Sequence, residues 1–293
     1  MRPALRPRRS VLYMPGANAR ALDKARGLDA DALILDLEDA VAPEAKAQAR
    51  AQVAAALKQG GYGRRECIVR INALDTPWGH DDVVAIAQAG ADAVLLPKVQ
   101  SAAQLAALAQ ALDAAGAPPD LPLWAMAETP LGFLRLDAIA GGHPRLAAIV
   151  VGTSDLVKDL HARHTPGREE TLLARSLAVM AARAHGLAVL DGVHLDLNDD
   201  AGYAAACQQG RDQGFDGKTL IHPKQIAAAN AAFAPTDSEL AQARKRLDAW
   251  RQAQAAGQGV AVVDGALVEN LHAEEAERVL ALAEAISGTA SEA

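Results

Sequence analysis

The stretch ADALILDLEDAVAPEAKAQAR, residues 30–50, decides how the rest of the chain is read. Its first half alternates: Leu33, Leu35 and Leu37 share one face of an extended segment, and Ile34, Asp36 and Glu38 share the other, because successive strand side chains point to opposite sides. Its second half, from Pro43 to Lys58, has helical composition, and Pro43 suits a first turn, where a missing N–H costs nothing. A strand that runs directly into a helix is the start of a βα unit. If the leucine face meets the helices, two carboxylates point toward the inside of the sheet.

Working outward, seven more short apolar runs read as buried strands: Ser10–Pro15, Cys67–Asn72, Ala93–Val99, Pro122–Glu128, Ala147–Asp155, Ala188–His194 and Gly217–Pro223, with Ala32–Glu38 as the second of eight. Ser101–Ala114 and Glu169–His185 are the other clear helices. Strand starts recur at about 30 residues, the size of a βα unit. Eight such units suit a closed (β/α)₈ TIM barrel, an α/β fold, better than an open doubly wound sheet. No G-x-G-x-x-G turn is present, and Gly217-Lys218-Thr219 lacks a P-loop's earlier glycine because Asp212 stands there. Beyond Pro235 the pattern changes to a helix (Ser238–Ala256), an extended stretch turning at Asp264-Gly265, and a last helix (Ala273–Ser287). The expected organisation is a catalytic barrel over residues 1–234 and an appendage over 235–293.

The 293 residues carry a formal charge of −7, which argues against a nucleic-acid coat. They are 51% apolar but only 3% aromatic, so the core must be mainly aliphatic. Cys67 and Cys207 form no C-x-x-C pair, as expected in a reducing compartment. No apolar run approaches the roughly 20 residues needed to cross a bilayer, and Pro15-Gly16 interrupts any signal-like segment. A cytoplasmic protein acting on a small molecule is expected, with no nucleic-acid or membrane partner. Arg2, Arg6, Arg8 and Arg9 read as a mobile basic segment.

In a barrel of this kind the chemistry sits where strands end. Asp36, Glu38, Arg70, Lys98, Glu128, Asp155 and His222 all fall at or near such ends. Buried charge there is costly unless paired or metal-bound. Glu128 and Asp155 suit a hard divalent ion, which is typically held by one or two carboxylates plus water and substrate oxygens. The planar fork of Arg70 suits a substrate carboxylate or enolate, with Asp36, Glu38 and Lys98 supporting these groups from behind. Asp155 equally reads as a helix cap. Thr129 and Pro130 fill the cap and first helical positions after Glu128, leaving that carboxylate without a capping role. His161 and His164 read as a solvated face of a polar helix.

At these residues the sequence resembles the citrate lyase beta-subunit family, within the wider 2-oxo-acid aldolases and lyases. The matching stretches are RRSVLYMPGANARAL (Arg8–Leu22), residues 30–50 above, IVRINALDTPWG (Ile68–Gly79), GADAVLLPKV (Gly90–Val99), AMAETPLG (Ala125–Gly132), VGTSDLVKDLHARHTP (Val151–Pro166) and FDGKTLIHPKQI (Phe215–Ile226). The resemblance implies a (β/α)₈ barrel, Mg²⁺, and a homo-oligomer (trimer or hexamer). It also implies a substrate that is a 3-hydroxyacyl thioester of coenzyme A or an acyl carrier protein, made from or cleaved to a 2-oxo acid. It assigns substrate binding to Arg70, metal and substrate to Glu128, and metal to Asp155. Family lyases often carry G-x-M-[VI]-D-x-P in the tail, whose Asp serves a neighbouring subunit's site as acid or base. Here Gly265-Ala266-Leu267-Val268-Glu269-Asn270-Leu271 puts Glu269 in that place without the proline. The appendage would then be a lid and Glu269 the proton-transfer residue. Moving a catalytic group by about 1 Å can cost on the order of 10²-fold.

The leading expectation is therefore a Mg²⁺-dependent carbon–carbon lyase on a citryl-, citramalyl- or malyl-CoA type thioester. Alternatives are a 2-oxo-acid aldolase, an acyl-CoA thioesterase on the same barrel, or a non-catalytic 2-oxo-acid-binding paralogue.

Overall fold

The computed structural model describes residues 6–291. The described residues divide into two compact units, Arg8–Phe233 and a second made mainly of residues 234–291. The first unit is a closed barrel of eight parallel strands in sequential order: β1 Ser10–Pro15, β2 Ala32–Asp36, β3 Glu66–Arg70, β4 Ala93–Leu96, β5 Leu123–Ala127, β6 Leu146–Val151, β7 Ala188–Asp191 and β8 Gly217–Leu220. The barrel closes where β1 pairs with β8, Ser10 lying opposite Lys218. All eight expected strands are present, so the (β/α)₈ fold stands. Apart from β1, the strands stop short of their expected C-terminal limits, by a single residue in β5 and by more in the others.

Alternation separates two apolar layers. Leu33, Leu35 and Leu37 belong to the outer layer between strands and helices. Ile34 points inward with Val11, Ile68, Leu95, Met126, Val150 and Leu190. Three inward alanines, Ala32, Ala93 and Ala148, leave room in the lumen for the fully buried indole of Trp124. One bulky ring thus fills what a chain poor in aromatics would otherwise leave empty.

The N-terminal end of the barrel corrects the reading of the early arginines. Arg2 lies outside the described residues, but Arg8 and Arg9 are not a mobile tail. Arg8 forks onto Glu66 (Nε–Oε2 2.6 Å, Nη2–Oε1 2.8 Å) and lies 5.1 Å over the Trp124 ring. Arg9 forks onto Asp31 at 2.8 Å through both Nε and Nη2. Such bidentate pairs are the strong form of the guanidinium–carboxylate contact. A second buried cluster ties β7 to β8: Lys218 Nζ is 2.9 Å from Asp191, which also pairs with Arg168. Burial alone would raise the Asp191 carboxyl, but Lys218 and Arg168 bring it down to about 2.

The second unit contains a helix (Asp237–Ala255), a hairpin of β9 (Ala261–Val263) and β10 (Ala266–Val268), and a helix (Asn270–Ser291). Thr236 and Glu239 form a reciprocal capping box at the first helix. Leu247, Trp250, Val263 and Val268 are among the residues of its own small apolar core. The hairpin turns at Asp264 and Gly265, both with positive φ, as a two-residue turn of this type demands. Among the described residues no helix is long and apolar enough to cross a membrane.

Removing the Arg8 guanidinium withdraws two charged hydrogen bonds from the buried Glu66 carboxylate. We expect Arg8→Ala to lower the unfolding free energy by about 3 kcal/mol, the scale for breaking a buried pair, measured by denaturant titration. A loss below about 0.5 kcal/mol, the scale of a neutral surface change, would mean that the segment contributes nothing to the fold.

Candidate active site

The C-terminal mouth of the barrel gathers charge from four successive strand exits. Asp36, the last residue of β2, lies directly opposite Arg70, the last of β3. Its carboxylate accepts from Arg70 Nε at 2.7 Å and Nη2 at 2.6 Å, and from the backbone N–H groups of Glu38 (2.9 Å) and Ala40 (3.1 Å). Asp36 is thus saturated and serves to aim Arg70. The fork expected for a substrate is already engaged, which leaves Nη1, hydrogen-bonded at 3.8 Å to Met126 Sδ, as the least committed edge. Nη1 lies 2.9 Å from Glu38 Oε2, near enough for an ion pair but not aligned for a hydrogen bond. Asp39 is 3.5 Å away.

Lys98 follows β4 in the left-handed region (φ 52°), a strained conformation for a non-glycine residue that tends to occur at functional sites. This turn sends its backbone N–H to Glu128 Oε1 (2.7 Å) and its ammonium to Glu38 Oε1 (2.6 Å). Burial opposes the charge on Lys98, but Glu38 outweighs it and raises the ammonium's pKa. Lys98 also reaches toward Asp155, 3.8 Å away.

Glu128 directly follows β5 and is buried. Thr129 caps the next helix and Pro130 is its first residue, as the sequence indicates. Burial first, and the nearby Glu38 charge second, push the Glu128 carboxyl up to about 8 against the pull of Lys98 and Arg70. Gly152, just past β6, explains how the carboxylate fits: a Cβ there would stand 2.5 Å from Glu128 Cβ and 2.7 Å from Oε2. Only glycine lets the backbone after β6 pack this closely against the carboxylate.

Asp155 is not at a strand end. β6 stops at Val151, and Asp155 lies in the first turn of the helix Thr153–Asp159. Nor does it cap: Gly152 is the N-cap and no side chain closes it. The carboxylate stays partly exposed, near Lys98 and Lys158, in a turn where the helix dipole favours negative charge. The structure therefore brings Asp36, Glu38, Arg70, Lys98, Glu128 and Asp155 into one cluster. Five carboxylates, counting Asp39, face Arg70 and Lys98. Among the described residues no three His, Cys, Asp or Glu side chains form a ready-made cage. A divalent ion here would rely on Glu128 and Asp155 plus water and ligand oxygens, the usual arrangement for Mg²⁺.

Other expected residues lie elsewhere. His222 caps the short turn Pro223–Gln225 through Nδ1, a structural role. His161 and His164 are exposed as expected but sit in the segment after the helix Thr153–Asp159, not on one. Glu269 belongs to the C-terminal unit, exposed immediately before its last helix.

Two residues escaped the sequence reading. Lys46 is buried, and its ammonium donates to the carbonyls of Leu37 and Glu38 and to Asn72 Oδ1 at 2.7–2.8 Å. It holds the β2 exit loop beside a cavity of about 520 Å³ that Glu38, Trp78, Lys98 and Gln100 also line. Tyr13 stands with its ring 4.8 Å under the Arg70 guanidinium. Strand alternation could have found Tyr13, which shares a face with Val11. No local signal marks Lys46.

Residues 9–223 match the family model described as HpcH/HpaI aldolase/citrate lyase. The chain belongs to the HpcH/HpaI aldolase/citrate lyase family. Within it, the chain is 52% identical over 281 residues to a (3S)-malyl-CoA thioesterase of Cereibacter sphaeroides strain KD131, covering 96% of each. It is 38% identical to the citrate lyase subunit beta of Escherichia coli K12, covering 98% of this chain and 96% of that one. A crystal structure of the CitE protein of Mycobacterium tuberculosis with magnesium, acetoacetate and coenzyme A superposes with a TM-score of 0.77. It is 31% identical and covers 97% of this chain and 100% of its own. The resemblance read from the motifs is thereby established at the level of the family.

The raised Glu128 pKa gives a pH signature with a definite sign. Between the ordinary carboxyl range, where the unfolded state loses its proton, and about 8, the folded protein holds one proton more. Stability must then fall as pH rises through that window. In metal-free buffer Glu128→Gln should match wild type near pH 5 and exceed it by a few kcal/mol at pH 8.5, measured by urea unfolding. Equal slopes for both proteins would contradict the burial argument.

Proposed function

We propose that this chain is a Mg²⁺-dependent enzyme that hydrolyses the thioester of a short 3-hydroxyacyl-coenzyme A of the (3S)-malyl type, giving the hydroxy acid and free coenzyme A. The observation that carries this reading is the Glu128 carboxylate, buried at the barrel mouth, packed closely against Gly152 and raised in pKa by burial and by the Glu38 charge. An excess of carboxylates repels a carboxylate-bearing thioester unless a divalent cation joins it. The donor set fits such a cation, with Glu128 and Asp155 as its protein ligands. Once bound, Mg²⁺ supplies Lewis-acid stabilisation of charge developing on substrate oxygen. The 52% identity to a (3S)-malyl-CoA thioesterase over nearly the whole chain supports hydrolysis as the outcome.

The chain's own residues then divide the work. Arg70, aimed by Asp36, offers Nη1 to the substrate carboxylate, and Glu38 yields that edge while remaining held by Lys98. Lys98 fixes Glu128 through its backbone and shields it from Glu38 through its ammonium. Glu269, supplied by a neighbouring copy in a homo-oligomer, is the candidate for moving the proton of the attacking water. Carbon–carbon cleavage is the second reading, favoured by the 38% identity to a citrate lyase beta subunit and by the same ligand pair.

Incubation of the holoenzyme with (3S)-malyl-CoA separates the two. Hydrolysis should release free thiol and malate; cleavage would instead yield glyoxylate and acetyl-CoA without free thiol. Chelation of Mg²⁺ should abolish turnover, and Glu128→Gln and Asp155→Asn should each lower kcat/KM on the order of 10²–10³-fold, the range for losing one charge-stabilising group. Full activity of both variants without added metal would remove the proposed site.

A further inference from the structure

Tyr13 carries a polar atom whose local surroundings give it nothing to do. It lies on β1 opposite Ile34, an inward residue of β2, and packs against the barrel's interior cluster. Its hydroxyl is buried and has no hydrogen-bond partner. Its ring lies 4.8 Å from the Arg70 guanidinium, which places Tyr13 beside the polar cluster at the mouth. Burial also raises its pKa, leaving a neutral donor. A phenylalanine would keep the stacking under Arg70 and avoid the desolvation of an unpaired hydroxyl. An unsatisfied buried hydroxyl beside a ligand site is what remains when its partner is the ligand.

Arg70 shows which ligand group needs it. Its Nε and Nη2 are spent on Asp36, so it can give a substrate carboxylate only the Nη1 edge. A second donor from another direction would complete that contact. We propose that the Tyr13 hydroxyl donates a hydrogen bond to the substrate carboxylate that Arg70 Nη1 also contacts, making Tyr13 a specificity residue for hydroxy and oxo acids. This rests on the reading of the mouth as a Mg²⁺-dependent acid site.

Tyr13→Phe in the Mg²⁺-loaded full chain tests it, with L-malate as the equilibrium probe by calorimetry and (3S)-malyl-CoA as the kinetic one. The malate Kd and the thioester KM should rise about 10-fold, the scale of a hydrogen bond to a charged group, with kcat within about 2-fold. Unfolding of the metal-free variant should show stability equal to or above wild type, because a structural tyrosine would lose stability instead. If wild type binds malate and the variant binds it equally well, Tyr13 has no such role and the metal site stands. If wild type binds no malate with Mg²⁺ present, the acid-site reading fails and this inference with it.

Discussion

The bidentate pair between Asp36 and Arg70 is the constraint on which the mouth of the barrel depends. The two residues are register partners at the ends of adjacent strands, so the β2–β3 ladder itself sets their separation. Asp36 spends its remaining acceptor capacity on two N–H groups of the loop beyond it. One carboxylate thereby fixes a guanidinium and the exit path of β2 together. The position of Glu38 is set by that path, and Lys46 reinforces it from beneath. Lys98 bridges Glu38 and Glu128 from a left-handed, strained backbone conformation. Site geometry is inherited from sheet register, which is far stiffer than any loop.

The two ends of the barrel use the same residue types to opposite purposes. At the N-terminal end the pairs Arg8–Glu66 and Arg9–Asp31 bring one cation to each carboxylate. Burial there is compensated, and the pairs are structural. At the C-terminal end carboxylates outnumber cations, and burial first and the Glu38 charge second push the Glu128 carboxyl up to about 8. An uncompensated buried charge destabilises a protein unless something else neutralises it. A proton does so at low pH in the free protein, and a divalent cation is the alternative near neutrality. On the reading proposed above, the same electrostatics that destabilises the charged Glu128 carboxylate would favour a divalent cation beside it.

What could be read from the sequence was whatever the backbone period controls. Alternation in Asp31–Asp39 placed Asp36 and Glu38 inside, and β2 bears this out along the whole strand. Thr129-Pro130 placed a helix start and freed Glu128 from capping. The failures all involve distant partners. Arg8 looks like part of a basic tail until Glu66, 58 residues away, closes the pair. Asp155 reads as a strand end although Gly152-Thr153-Ser154 stands between it and the apolar run; the ladder to β7 stops at Val150 and Gly152 opens the helix Thr153–Asp159. Lys46 is one cation among exposed helix neighbours, and only the folding of the β2 exit loop over it turns it inward.

Under the proposed function, hydrolysis and carbon–carbon cleavage would begin from the same bound state, with the acid end of the thioester gripped at the mouth. They part over which oxygen surrenders a proton. Cleavage requires it from the substrate's own hydroxyl, whereas hydrolysis requires it from a water aimed at the thioester carbonyl. A carboxylate delivered on an exposed segment would decide between them by reach if, as proposed, the barrel residues contact the acid end in either case. Glu269 is one methylene longer than the aspartate of the family lyases, and Leu271 stands where their proline would stiffen the backbone beside it. On the reading proposed above, that extra length and freedom move the base away from the substrate hydroxyl and into range of water. The barrel would then set what is bound, and the tail would set which bond breaks.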